Sequence, residues 1–419
     1  MQIGFNTFNL LPDNIHDKVV RKFFFSVELP DADYKANIKF KIADTKKEVE
    51  EALKLIQDCY TETKLTGKSN YKIRINKYKL LPTTTIFVAK YKDEVIATCS
   101  QVMDTSLGLP IDHFMDISHI RKKGRRISEI TGLAVRKDWR SKSKGVYFPL
   151  VSYAVLYCKE VIGTQDIIIC TRASVRKFYR AIFGFKPVSK KIHEHSGVNG
   201  MMSFAQMLNI ESLGEILFKL YGNKSKIEKN CFKVIWNFPW REISDFKKQN
   251  FYFLKNSSFK LDTINYFFNE QSDVLRNLTD EDRAFLNSLY SDKGYQEIIS
   301  DTPLSFKKVR KSPRFYVNMD FYSSNNSKII TNKVFQISFN GFCLQGTNLP
   351  ENITGEIYLN EKVKCHISAR KVWSGEHKSG YEFTFVEKTI WETVFYWVNE
   401  KNKENLSEEN IEHQLEYVS

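Results

Sequence analysis

The feature that most constrains this chain is a change of rhythm near residue 305. Up to about residue 206, strand-like alternation and helix-like spacing of apolar residues take turns. From 305 to 400 only short alternating runs remain, separated by Asn/Gly/Ser turns. Helices and strands bury their apolar residues with different periods, so one sheet or one barrel cannot serve both halves. The sequence therefore predicts two domains of different class, and 419 residues are enough for them.

The first half reads as β-α-β-β-β-α-β-α. Strands are expected at 38–43, 85–90, 95–102, 129–135 and 166–170, and helices at about 45–60, 145–162 and 174–183. Asp44 or Thr45 is placed to cap the first of these helices. Residues 1–36 carry no assignable pattern. Together these describe a mixed α/β domain over 1–206. A Phe-, Lys- and Asn-rich, mainly helical connecting region follows over 207–304.

In the last part, strands are expected at 313–320, 333–337, 340–345, 354–359, 364–372 and 380–386, a small all-β barrel over 305–400. A helix over about 387–399 carries Trp391, Phe395 and Trp397, and 401–419 is a polar, frayed tail.

Composition excludes some classes. No apolar run reaches 18 residues, so no integral membrane span is expected. The seven cysteines form no CxxC pair, which points to reduced thiols in a cytoplasmic protein, and no His/Cys cluster has metal spacing. His193 and His195 read as surface residues. The net charge of +14 is uneven: residues 121–144 hold ten Lys/Arg against Glu129 and Asp138, a local net of +8. Such a run is either a solvated face or an attractor for a polyanion.

Chemistry concentrates at the strand ending at Val135 and the loop Arg140-Ser-Lys142-Ser-Lys144-Gly145, which opens a helix. Unpaired N–H groups at a helix N-terminus favour phosphate. Further on stands Phe178-Tyr179 followed by Gly184-Phe185. With these motifs the segment resembles the acetyltransferase superfamily. The resemblance narrows with Pro82-Thr83-Thr84-Thr85, Gly108-Leu109-Pro110, and Glu129-Ile130-Thr131-Gly132-Leu133-Ala134-Val135. Over roughly 38–190 the chain resembles the N-acyl amino acid synthases, relatives of the acyl-homoserine lactone synthases. The resemblance implies transfer of a long-chain acyl group, from acyl carrier protein or coenzyme A, to the amine of an amino acid. It also implies that Leu133, Val135, Arg140, Lys142, Lys144, Gly145 and Tyr179 bind the acyl donor. An acidic carrier protein suits the basic stretch.

Glu129 is the candidate catalytic base. Amine attack on a thioester requires a deprotonated amine, and burial beside the donor site raises a carboxyl pKa toward a useful value. The competing reading pairs Glu129 with Arg125 or Arg126. Where the lactone synthases carry an arginine three residues after this glutamate, this chain has Gly132, which leaves the acceptor open. Thr84 and Thr85 read first as ordinary strand threonines.

The last part carries Arg310-Lys-Ser-Pro-Arg314 and, further on, Gln336-Ile-Ser338-Phe-Asn340-Gly341. These resemble the PilZ signature, RxxxR followed by D/N-x-S-x-x-G. The resemblance implies cyclic di-GMP binding through Arg310, Arg314, Gln336, Ser338, Asn340 and Gly341. Arginine forks suit phosphate and guanine edges. Gln336 departs from the usual Asp or Asn and is one methylene longer.

The resulting expectation is an N-acyltransferase regulated by cyclic di-GMP, with no nucleic acid among its partners. The competing functions are an acetyl-CoA-dependent acetyltransferase and a non-catalytic acyl-binding effector acting by protein contact. Nucleic-acid binding lacks the aromatics that normally interleave a basic patch.

Overall fold

The structure, a computed structural model, describes residues 12–24, 37–66, 70–140, 144–221, 261–290, 293–300, 314–325, 328–346, 348–359, 363–388, 390–392 and 395. Lys142, Arg310, Cys231, Trp397 and the tail 401–419 lie outside them. Contacts divide the chain into two compact units: Met1–Ile117, Arg126–Lys247 and Asp262–Asn277 form one; Ser118–Arg125, Lys248–Leu261 and Leu278–Ser419 form the other.

The first unit is a mixed sheet in the order β1-β2-β3-β4-β5-β8-β6, with β7 paired to β8. Its strands are β1 (Ile38–Ile42), β2 (Thr85–Tyr91), β3 (Glu94–Met103), β4 (Ile127–Val135), β5 (Asp166–Arg172), β6 (Lys186–Pro187), β7 (His193–His195) and β8 (Met201–Asn209). The N-terminal helix α1 (Asp13–Phe24), for which the sequence offers no pattern, packs against the sheet's helical layer through Val20. Helix α2 (Lys46–Glu62) starts where expected: Thr45 is the N-cap, its side chain accepting from the Glu48 N–H (3.2 Å). On the other face lie α3 (Lys144–Tyr157), which ends in a π-turn over Cys158–Ile162, α4 (Arg176–Phe183) and α5 (Leu213–Tyr221). Arg180 on α4 pairs with Asp13 and Asp17 on α1.

Besides α1 and the short β6 and β7, two features differ from the sequence reading. Strand β8 runs to Asn209, past the expected boundary at 206, and pairs with β5 from Asp166 to Arg172. Its sequence MMSFAQMLN lacks β-branched residues, so strand propensity does not announce it. Helix α5, inside the expected connecting region, buries Leu213, Leu217 and Tyr221 in the first unit's core. Further helices are α6 (Leu261–Asn265), α7 (Asp280–Leu289) and α8 (Lys293–Ile299).

The second unit contains the expected small barrel. It is closed and antiparallel, in the order β10-β11-β14-β13-β12-β9. The strands are β9 (Arg314–Asn325), β10 (Lys328–Ser338), β11 (Gly341–Gln345), β12 (Asn352–Tyr358), β13 (Lys364–Ser374) and β14 (Lys378–Val386). Alternate residues point inward, among them Val317, Met319, Phe321, Ile357, Ile367 and Tyr381. Trp391 and Phe395, beyond β14, join this core, and the Trp391 indole N–H donates to the Phe339 carbonyl (3.1 Å).

Candidate functional site

The site of the first unit arises where two parallel strands part. β4 and β5 pair only over Ile127–Ile130 and Asp166–Ile169. β4 then continues through Val135 without this partner. Opposite, β3 meets a bulge: Thr98 pairs with Ala134 and Ser100 with Thr131, so Gly132 and Leu133 together face Cys99. Gly132 takes φ +65°, a backbone glycine adopts without penalty. The residue that departs from the lactone-synthase pattern is thus one whose conformation favours glycine.

A cavity of about 220 Å3 fills the fork. Alternation puts Ile130 and Ile169 on the α3/α4 face of the sheet, and Glu129 and Cys170 on the α2 face. The cavity wall draws from both faces. On one side it is apolar, with Ile130, Val151, Val155, Ile169, Phe183 and Phe185; toward α2 it includes Tyr60, Cys170 and Arg172. Leu133 and Tyr179, two of the expected donor-binding residues, line it. Inside the wall the hydroxyls of Ser152 and Thr171 are buried without a partner, so the cavity retains polar capacity.

Glu129 lies beside this fork, 2% exposed. Its Oε2 accepts from the Ile111 N–H (2.8 Å). Burial pushes its pKa up to about 8; the Ile111 bond and Lys79 pull the other way, while Asp112 and Asp104 add to the rise. Lys79 is thus a cation that bears on Glu129; the competing reading of the sequence pairs Glu129 with Arg125 or Arg126. Arg126 is buried, and its Nη1 donates to the Ile162 carbonyl (2.7 Å).

Lys79 is a residue the sequence reading missed. It sits in a 3-10 turn, Lys77–Leu80, with its Nζ buried and unpartnered. Burial lowers its pKa to about 7, opposed by Cys99 and Glu129. Its neighbour Tyr78 donates from Oη to the Leu109 carbonyl (3.0 Å), tying this turn to the loop whose Ile111 amide holds Glu129. Thr84, one residue before β2, donates from Oγ1 to the Tyr78 carbonyl (2.6 Å), while Thr85 opens β2; both are buried.

The basic stretch is not one free surface. Arg136 pairs with Glu94 (2.7 Å) and Asp138 (2.8 Å), Lys137 with Glu62 (3.4 Å), and Arg140 with Glu62 (2.7 Å). Counting charge along the stretch omits Glu62 and Glu94 because they come from other segments. Arg140 also donates through Nε to the Val135 carbonyl (3.0 Å), which gives both residues a structural engagement. Lys144 and Gly145 open α3, the helix start expected beside a donor phosphate. His195 is partly exposed and stacks on Phe114 (4.3 Å between ring centroids). Its pKa is lowered to about 4, by burial first and then by His113 and Arg74.

In the barrel, Arg314 and Ser338 face each other across β9 and β10, and Gln336 pairs with Tyr316. Asn340 is exposed in the turn to β11, and its carbonyl accepts from the Phe383 N–H (2.9 Å). Ser338 Oγ donates to the Gly341 carbonyl (3.1 Å). A Cβ on Gly341 would stand 2.1 Å from the Tyr381 carbonyl oxygen. Close packing of β11 on β14 thus leaves no room for a side chain at this position. No group of His, Cys, Asp and Glu among the described residues has metal-binding geometry. None of their helices is long and apolar enough to cross a membrane.

Residues 51–205 match the family model "N-acyl amino acid synthase FeeM". Among solved structures, FeeM, an N-acyl amino acid synthase from uncultured soil microbes, is 17% identical over 42% of this chain and 93% of its own, with a TM-score of 0.35. The AHL synthase LasI is 13% identical over 45% and 96%, with a TM-score of 0.34. An acyl-CoA N-acyltransferase from Pseudomonas aeruginosa is 15% identical over 41% and 97%, with a TM-score of 0.28. No curated protein matches the chain. The family match falls on the strands and helices that build the fork, so this part of the first unit is similar to an N-acyl amino acid synthase.

Proposed function

We propose that the chain transfers a long acyl group from acyl carrier protein to the amine of an amino acid, and that cyclic di-GMP acting on the barrel regulates this transfer. One observation carries the reading: a buried carboxyl, Glu129, stands beside a cavity whose far wall is apolar. An acyl chain laid against Val151, Val155, Ile169 and Phe183 gains about 0.8 kcal/mol per buried methylene. Its thioester then lies in the fork near Thr131–Leu133. Glu129 takes the proton of the attacking amine as the N–C bond forms, and the thiolate of the carrier leaves.

The barrel's part rests on Arg314, Gln336, Ser338 and Asn340 at one end of β9 and β10. Arg314 supplies a fork for a phosphate or guanine edge. Gln336 keeps donor and acceptor capacity. Arg310 lies outside the described residues.

Calorimetric titration of the full chain with cyclic di-GMP, beside Arg314→Ala, tests the regulatory half. Binding with a Kd of about 1 μM or below, lost in the variant, is expected. No binding removes the ligand from the reading. Binding without a change in acyl-transfer rate removes the regulation. Comparing acyl-carrier and coenzyme A thioesters of equal chain length decides the donor.

A further inference from the structure

We propose that Arg74 and Arg172 form an anion subsite for the carboxylate of the acceptor, on the α2 side of the fork. This inference rests on the acyl-transfer reading above and specifies which acceptors that site takes.

Both arginines are half-buried and both attach to the C-terminal end of α2. Arg172 lines the cavity, and its Nη2 donates to the Thr63 carbonyl (2.8 Å). The Arg74 guanidinium lies over the Tyr60 ring, 5.1 Å from its centroid, and Tyr60 lines the same cavity. Arg74 Nη2 donates to the Gly197 carbonyl. Among the described residues neither arginine pairs with a carboxylate. Other arginines of this unit do: Arg136, Arg140 and Arg180 each hold acids.

Each guanidinium has five N–H donors, and a single carbonyl uses one of them. A desolvated cation with spare donors in a fork geometry matches a carboxylate. His195 is near Arg74, and burial, with the Arg74 charge beside it, keeps its ring neutral. The other groups facing this corner are Tyr60, Cys170 and Glu129, and burial keeps all three toward their neutral forms.

The position also suits the chemistry. Cys170 and Arg172 are two apart on β5, so their side chains share the face that carries Glu129. An α-amino acid holds its amine and its carboxylate one carbon apart. With its carboxylate on the arginines, its amine is presented toward Glu129 and the fork. The acyl chain occupies the opposite, apolar side. The two substrates thus approach from the two faces of one sheet.

The test uses the full-length protein with a dodecanoyl thioester and the twenty standard amino acids, each beside its methyl ester. The ester keeps the amine and side chain and removes the negative charge. The readout is the acid-over-ester ratio of kcat/KM, and the change of that ratio between wild type and variant cancels intrinsic amine reactivity. A hydrogen-bonded charge pair contributes about 1.5–3 kcal/mol, so Arg74→Ala and Arg172→Ala should each lower the ratio about 10- to 100-fold, through KM for the acid. Arg74→Lys keeps the charge without the fork and should fall between. Melting temperatures of the variants separate this from misfolding, which lowers both rates and leaves the ratio alone. Unchanged ratios in both alanine variants overturn the subsite. A wild-type protein that acylates none of the acids or esters overturns the acyl-transfer reading, and the subsite with it.

Discussion

Glu129→Gln tests the central chemical claim with two independent readouts. The amide is isosteric, and its oxygen still accepts the Ile111 N–H, so the fold is retained. With a pKa of about 8, the wild-type carboxyl is ionised to about 1% at pH 6, about 9% at pH 7 and about 91% at pH 9. The base works only when ionised, so wild-type kcat/KM should climb with pH and level off above about 8. The glutamine variant should lose about 100- to 10,000-fold in kcat and lose this ionisation from the profile. Stability gives the second readout. A carboxyl raised from 4.5 to about 8 binds its proton more tightly in the folded state. Wild-type stability therefore falls as pH rises from about 4.5 to 8, by about 1.4 kcal/mol per unit, to a ceiling of about 5 kcal/mol. The variant lacks this loss, so its melting temperature should exceed wild type's increasingly toward pH 8. Steady-state rates and thermal melts from pH 5 to 9 measure both. A variant that keeps a third or more of the wild-type rate with the same pH profile refutes Glu129 as the base. Coincident stability curves refute the buried, raised carboxyl.

Two further outcomes follow from Lys79 and from Gly341 of the barrel. Lys79→Met removes the cation facing Glu129, so the rise of kcat/KM should move to higher pH; because burial depresses the Lys79 pKa to about 7, the variant should also be more stable at pH 7, a gain that fades as pH approaches 10.5. A rate profile unmoved by the substitution disconnects the two groups. Gly341→Ala forces a Cβ to within 2.1 Å of the Tyr381 carbonyl and should destabilise the barrel by about 3 kcal/mol, read as a lower denaturant midpoint; an unchanged midpoint refutes strand packing as the reason for this glycine.

Much of the local structure was legible in the sequence. Thr45 before Lys46–Glu62 declares a helix start, since its side chain serves an N–H three residues on. The apolar run around Glu129 declares β4, and the alternating runs after residue 313 declare the barrel strands. These signals are local, carried by residues two to four apart. Glu129 itself stood out as a lone acid in an apolar strand, and the structure finds it buried with a raised pKa.

The rest needed the tertiary structure. β8 has no propensity signal and exists because it pairs with β5. The 121–144 charge run loses much of its positive surface to Glu62 and Glu94, which lie far off in sequence. Lys79 and the Ile111 amide reach Glu129 from 50 and 18 positions away. Arg74 meets Gly197, and Arg172 meets Thr63, across more than a hundred positions. The sequence by itself determined many of the helices and strands, though not α1, β6, β7 or β8, and which carboxyl stands in an apolar setting, because short-range periodicity and capping suffice for those. Only the folded chain decided where β4 and β5 part, what fills the gap, and which charges face Glu129, because burial and electrostatics depend on distance in space.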